Sequence, residues 1–273
     1  MKIATCLVAA AVLAGGGISA AHATVATENI DGVVIPVGIV AGGNQIQSAF
    51  INETSISNVG DTLSGIGYVS AVALGTNPSA QTWSNGQNGV MLAFIFSGYT
   101  VSSIALPSGG TNGTVDFTGG SVDFYTLAAG TNLSTGTVAG DEALVKSGTL
   151  WLATSAAVEA PGGVTLTGSI PPGDSASNFV TAGNGSGYLD ATGGPAGASY
   201  HTGTFTNPFD PLGGSDMSFT SDFSNAAGGS DFPITGSATL KANTVLVPEP
   251  MSAALLGFGV LALAAVYRRR AVR

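Results

Sequence analysis

Between Thr24 and Val247 the apolar and polar positions follow the period of strands, and no long helical period interrupts them. Val33 to Val40 is rich in β-branched residues, and Val90 to Phe96 is an unbroken apolar run of the kind a buried central strand shows. Ser97-Gly98 reads as a tight hairpin connection into a further strand, Tyr99 to Leu106. Val115-Asp116-Phe117 and Val122-Asp123-Phe124-Tyr125 alternate apolar and polar positions and are joined by Thr118-Gly119-Gly120. That arrangement puts Asp116 and Asp123 on a wet face, within reach of each other across a hairpin. Thr149 to Ala153, Gly163 to Leu166, Met217 to Phe223 and Gly236 to Val247 read as further strands. Regular spacing with glycine-rich turns predicts an all-β fold, an antiparallel β-sandwich or jelly-roll-like ectodomain. Prolines and glycines crowd the stretch from Ala160 to Gly214, which predicts long loops inside one all-β domain over residues 24–247.

The two ends carry a different pattern. Met1-Lys2 precedes an apolar run from Ile3 to Leu13, Gly15-Gly16-Gly17 ends that run, and Ala21-His22-Ala23 follows. A positive start, a short apolar core and a small-x-small site predict a signal peptide over residues 1–23, cut after Ala23 with Ala21 as the other small residue of the site. At the other end, Pro248-Glu249-Pro250 precedes an uncharged run from Met251 to Tyr267 and the cluster Arg268-Arg269-Arg270. As a helix that run reaches about 25 Å, slightly short of a hydrocarbon core of about 30 Å, a gap that arginine snorkelling closes. Residues 248–273 therefore predict a motif, one C-terminal transmembrane helix and a cytoplasmic anchor of Arg268, Arg269 and Arg270.

Composition narrows the chemistry. Only 8% of the 273 residues are charged, and glycine, at 41, is about twice as frequent as usual. All 16 acidic residues lie between Glu28 and Glu249, where Lys146 and Lys241 are the only basic side chains. Such a chain repels phosphate backbones, which argues against nucleic acid as a partner. The one cysteine, Cys6, lies in the predicted signal peptide, so the processed chain has no disulfide, thiol nucleophile or thiolate metal site.

Pro248-Glu249-Pro250, a short apolar span and a terminal arginine cluster together resemble the PEP-CTERM sorting signal. The resemblance implies export past signal peptidase, an intermediate in the inner membrane of a Gram-negative-type bacterium, and recognition of Pro248, Glu249 and Pro250 by a membrane-embedded exosortase. It also implies a final place at the cell surface or in an exopolysaccharide matrix. Patches between Thr62 and Leu240 resemble the flocculation-associated branch of these proteins. They include Leu63 to Val69, Asn88 to Tyr99, Phe117 to Tyr125, Gly148 to Leu152, Gly187 to Gly194 and Ser215 to Phe219. That likeness implies a part in exopolysaccharide-dependent aggregation, floc or biofilm formation, and implies no catalytic residues.

Reactive groups are sparse. His201 is the one histidine of the processed chain, and no Gly-x-Ser-x-Gly elbow accompanies it. Asp141 and Glu142 are adjacent, so on a strand they would face opposite sides. The expectation is a non-enzymatic protein without a catalytic residue or required cofactor. Two binding features stand as candidates. Trp83, set among polar turn residues, is a candidate sugar-stacking platform, the basis of a carbohydrate-binding alternative. Asp210, Asp216, Asp222 and Asp231 crowd a glycine-rich stretch and are candidate calcium ligands, since loop oxygens suit that ion. A secreted glycan hydrolase built on paired carboxylates is the remaining alternative.

Overall fold

The computed structural model describes residues 25–75, 77–172, 182–209, 213–226 and 232–246. A hairpin comes first, β1 (Thr27–Ile30) and β2 (Val33–Pro36), followed by β3 (Asn44–Glu53) and β4 (Thr62–Tyr68). The small hairpin β5 (Ala71–Leu74) and β6 (Asn77–Ser84) leads to the long strand β7 (Val90–Ala105). Then come β8 (Gly113–Thr118), β9 (Ser121–Ala128), α1 (Val138–Lys146), β10 (Thr149–Ala157) and β11 (Val164–Ile170). The chain ends with β12 (Ala182–Gly193), α2 (Gly197–Tyr200), β13 (Phe205–Thr206), β14 (Gly214–Ser215), β15 (Met217–Asn225) and β16 (Ile234–Ala242).

The all-β character is as expected, but the architecture is a barrel rather than a sandwich or jelly roll. β8 and β9 lie end to end along β7, Thr114 to Thr118 facing Ala105 to Thr100 and Ser121 to Ala128 facing Ser97 to Val90. β11 and β10 flank them in the same way, and β12 runs antiparallel to both. Counting each end-to-end pair as one line, eight antiparallel lines follow one another in chain order: β3, β4, β7, β8/β9, β10/β11, β12, β15 and β16. The last returns to the first, with Ala242 opposite Asn44 and Ile234 opposite Glu53. Neighbours in sequence are neighbours in space, the up-and-down arrangement, and β5 and β6 extend the sheet beyond the first half of β3. Sandwich and barrel share short strands and glycine turns. What separates them is the β16–β3 pairing, a contact between distant segments.

Ser97-Gly98 is not a hairpin turn. β7 runs straight through it, and Gly98, Gly119 and Gly120 all take positive φ (78°, 69° and 103°) where the two lines kink together. Only residues free of a Cβ accept that bend without strain. Asp116 and Asp123 accordingly sit in sequence along one barrel line and do not meet across a hairpin. Asp141 and Glu142 belong to α1 rather than to a strand. The stretch expected to be long loops holds β11 and β12.

The apolar run from Val90 to Phe96 is buried on both faces. Leu92, Phe94 and Phe96 point into the barrel, whereas Met91, Ala93 and Ile95 point outward, where they join Val145 of α1 and Leu133 in a second apolar cluster. The Thr137 hydroxyl caps α1 by accepting from the Gly140 N–H at 3.1 Å, and Asp141 sits in its first turn, favourable at a helix N-terminus. Elsewhere the interior is apolar and the outer wall polar, the reverse of a lipid-facing barrel. Among the described residues no helix is long and apolar enough to cross a membrane. The expected transmembrane helix, 251–267, lies outside the described residues, as do Ala21, Ala23, Pro248, Glu249, Pro250, Arg268, Arg269 and Arg270.

Candidate functional site

Strand register builds the outer wall. Asp116, Thr167, Ser186, Thr220, Thr239 and Gln47 stand opposite one another on six successive lines, β8 to β3. A parallel row holds Thr114, Ser169, Asn184, Asp222 and Ser237. Because side chains alternate across a strand, these rows face outward while the residues between them fill the interior. Hydroxyls, amides and carboxylates thus cover one side of the barrel, and the Ser103 hydroxyl donates to Asp116 at 2.7 Å to extend it.

A cleft of about 240 Å³ opens in this wall between β12, β15 and β16. It is lined by Ser186 and Tyr188 of β12, Ser218 and Thr220 of β15, Thr239 and Lys241 of β16, and by Glu159. Glu159 is held between opposing influences. Burial pushes its carboxyl above the usual range, while hydrogen bonds from Thr167 pull it down. Its Oε1 is enclosed without a hydrogen-bond partner. An aromatic ring, several hydroxyls and a carboxylate around one cleft can stack on and hydrogen-bond a polar ring compound.

The sequence-selected residues fall elsewhere. Trp83 is fully buried on β6, at 0% exposure, so the expectation of an exposed stacking platform there is overturned. Gln81, Thr82 and Ser84 beside it are polar residues of β6 itself, and only Asn85 and Gly86 enter the turn, while the ring joins the core. Asp216 is 2% exposed and acts as an internal staple. Its Oδ1 accepts from the backbone N–H groups of Thr202 (2.6 Å) and Gly203 (2.7 Å), and its Oδ2 accepts from Ala191 (2.9 Å) and faces His201 Nδ1 at 3.0 Å. Both oxygens therefore serve donors of the chain itself. Asp222 stands on the outer wall, and Asp210 and Asp231 lie outside the described residues. Among the described residues no three His, Cys, Asp or Glu side chains group closely enough to hold a metal ion.

A second enclosure lies inside the barrel. A cavity of about 90 Å³ is lined by residues from all eight lines, Phe94, Phe117, Phe124 and Phe223 prominent among them. It exists because several inward positions carry little or no side chain: Ser48, Gly168, Gly185, Ser221 and Ala238. Besides the hydroxyls of Ser48, Thr54 and Ser221, two titratable residues reach it, Glu53 of β3 and Tyr99 of β7. Glu53 is 8% exposed, and burial alone pushes its carboxyl up to about 7. Tyr99 is 1% exposed and its hydroxyl has no hydrogen-bond partner. Burial, with Glu159 adding to it, pushes its phenol well above the ordinary range.

Sequence reasoning missed both enclosures. Glu53 shares the inward face with Ile51, but a bulge after Ser48 shifts the phase set by Ile46 and Ser48, so strict alternation along the strand does not single it out. Tyr188 follows three glycines spaced two apart, Gly183, Gly185 and Gly187, a pattern that hides a strand because glycine is a poor strand former. Compared with known proteins, the chain matches no family model, no curated protein and no solved structure.

Proposed function

We propose that the chain is an exported, non-enzymatic protein of the cell surface or exopolysaccharide matrix, sorted by an exosortase, that holds polysaccharide along its outer wall. The observation that carries this reading is the cleft beside Tyr188, set in laterally aligned rows of Thr, Ser, Asn and Gln. Polysaccharide presents a dense array of hydroxyls, which pair with neutral hydroxyl and amide side chains, and its ring faces stack on aromatic ones. The carbohydrate-binding and matrix readings merge at this cleft, now around Tyr188 and not Trp83. The tail motif at Pro248, Glu249 and Pro250 supplies the itinerary.

Two measurements test the reading. The first is intact mass and cell fraction of the protein in its own host, with and without exosortase; loss of both ends and recovery in the matrix is the expected result. An uncut protein retained in the inner membrane of both strains refutes the itinerary. The second is co-sedimentation of the protein with the host's purified exopolysaccharide. Tyr188→Ala should reduce the bound fraction several-fold, and undiminished binding refutes the wall as the contact.

A further inference from the structure

The interior cavity has no part in polysaccharide binding, since a chain molecule on the outer wall does not reach it. Three observations point to a guest. The lining is aromatic and aliphatic, with small residues at Gly168, Gly185 and Ser221 keeping it open. The Tyr99 hydroxyl is enclosed and unpartnered. Such a group ordinarily finds a partner in native proteins, and leaving it without one is costly. Third, the lining includes Thr54, Ile56 and Leu63, so the cavity extends to the end of the barrel where β3 gives way to β4.

We propose that the barrel interior binds a small apolar molecule bearing one hydrogen-bond-accepting oxygen, whose hydrocarbon part lies among Phe94, Phe117 and Phe124 and whose oxygen accepts a hydrogen bond from the Tyr99 hydroxyl. Size sets the class. An apolar cavity of roughly 150 Å³ takes a benzene ring, so the 90 Å³ here suits smaller guests, of about four non-hydrogen atoms. A carbonyl or ether oxygen fits, because a phenol that lacks an acceptor donates to it. An ionised carboxylate does not fit well. Glu53 in the same cavity would stand against a second negative charge, and the described lining holds no basic side chain. The competing occupant is a single water molecule on Tyr99.

The test is titration of the purified full-length chain with acetone and, separately, with isobutane, read by methyl chemical shifts of Ile51, Leu63 and Ile234. Saturable shifts of these methyls by both compounds are expected. Tyr99→Phe should weaken the ketone about fivefold to tenfold, the effect of one lost neutral hydrogen bond, and leave the hydrocarbon unaffected. Ser221→Leu and Ala238→Val fill the cavity from different strands and should each abolish both responses while the protein stays folded. Absence of saturable shifts with either compound overturns the proposal and leaves water as the occupant. Unchanged ketone affinity in Tyr99→Phe, or binding that survives in a folded filled-cavity variant, overturns it equally.

Discussion

The Phe96 ring lies over Gly65, its partner on the neighbouring strand, so closely that a methyl group added to Gly65 would come within 2.4 Å of the ring and 2.1 Å of the Asn52 carbonyl oxygen. The same pairing repeats inside the barrel. Phe94 covers Gly67, Phe219 covers Gly187 and Phe223 covers Gly183, each across one strand boundary. Glycine here is the floor on which an aromatic side chain of the next strand rests, the large-and-small alternation that fills a narrow barrel. Gly65→Ala should therefore cost about 3 kcal/mol, because both close atoms are constrained, one by the sheet and one by the core. Urea unfolding measures it. Gly197→Ala is the control: its site on α2 is open and its backbone is not left-handed, so the change should be neutral or slightly stabilising.

Glu53 makes stability depend on pH in an unusual direction. Its carboxyl titrates near 7 when folded and at 4.5 when exposed, so between these values the native state holds a proton that the unfolded state has lost. Stability from this group is complete below pH 4.5 and falls as pH rises through 7. The loss amounts to about 3 kcal/mol at most. Tyr99 is the only other titratable side chain among the described residues lining the cavity, and it stays neutral across this window. Glu53→Gln should leave the protein as stable as wild type at pH 4.5 and more stable at pH 8, with a flatter profile between. Thermal melts across that range decide it; parallel profiles for the two proteins would show that burial does not perturb Glu53.

The sequence displayed the strands whose two faces contrast and concealed the ones built on glycine. Val90 to Phe96 and Val122 to Tyr125 were legible because burial leaves an apolar signature. β12 was not, since Ala182 to Gly187 alternates glycine with polar residues and the bulk that fills its inner face comes from Phe219 and Phe223 of the next strand. Glycine abundance read as turns was therefore only half the account. Ser97-Gly98 misled for the same reason, being a kink shared by two long lines. Closure was out of reach, because it rests on β16 meeting β3 and no local pattern encodes that contact. Of the site residues, Trp83 was judged by its neighbours in sequence, whereas its ring is set by the core beneath.

Asp216 should behave as a structural residue. Three backbone N–H groups, from Ala191, Thr202 and Gly203, depend on its carboxylate. Asp216→Ala leaves them without their acceptor and should destabilise the protein by about 3 kcal/mol, more than a surface change and less than loss of the fold. Hydrogen exchange at Thr202 and Gly203 should accelerate more than at strand amides of β3. Uniform acceleration throughout the barrel would instead mean that the staple holds the whole fold and not this segment alone.

The two tryptophans, both fully buried, should respond differently to the same substitution. The Trp151 Nε1–H donates to the Ile30 carbonyl oxygen at 3.0 Å, tying β10 to the N-terminal hairpin, and its ring packs edge-on against Phe124 and Tyr200. The Trp83 Nε1–H is buried with no partner. Replacement by phenylalanine removes similar volume at each site, so the packing losses largely offset. At Trp151 it also removes a hydrogen bond and strands the Ile30 carbonyl, whereas at Trp83 it removes an unsatisfied donor. Trp151→Phe should thus cost about 1–2 kcal/mol more than Trp83→Phe. The fluorescence of Trp83, observed in the Trp151→Phe protein, should be blue-shifted, resist quenching by iodide and stay unchanged when polysaccharide is added. A polysaccharide-induced shift in that variant would return Trp83 to the surface and contradict its place in the core.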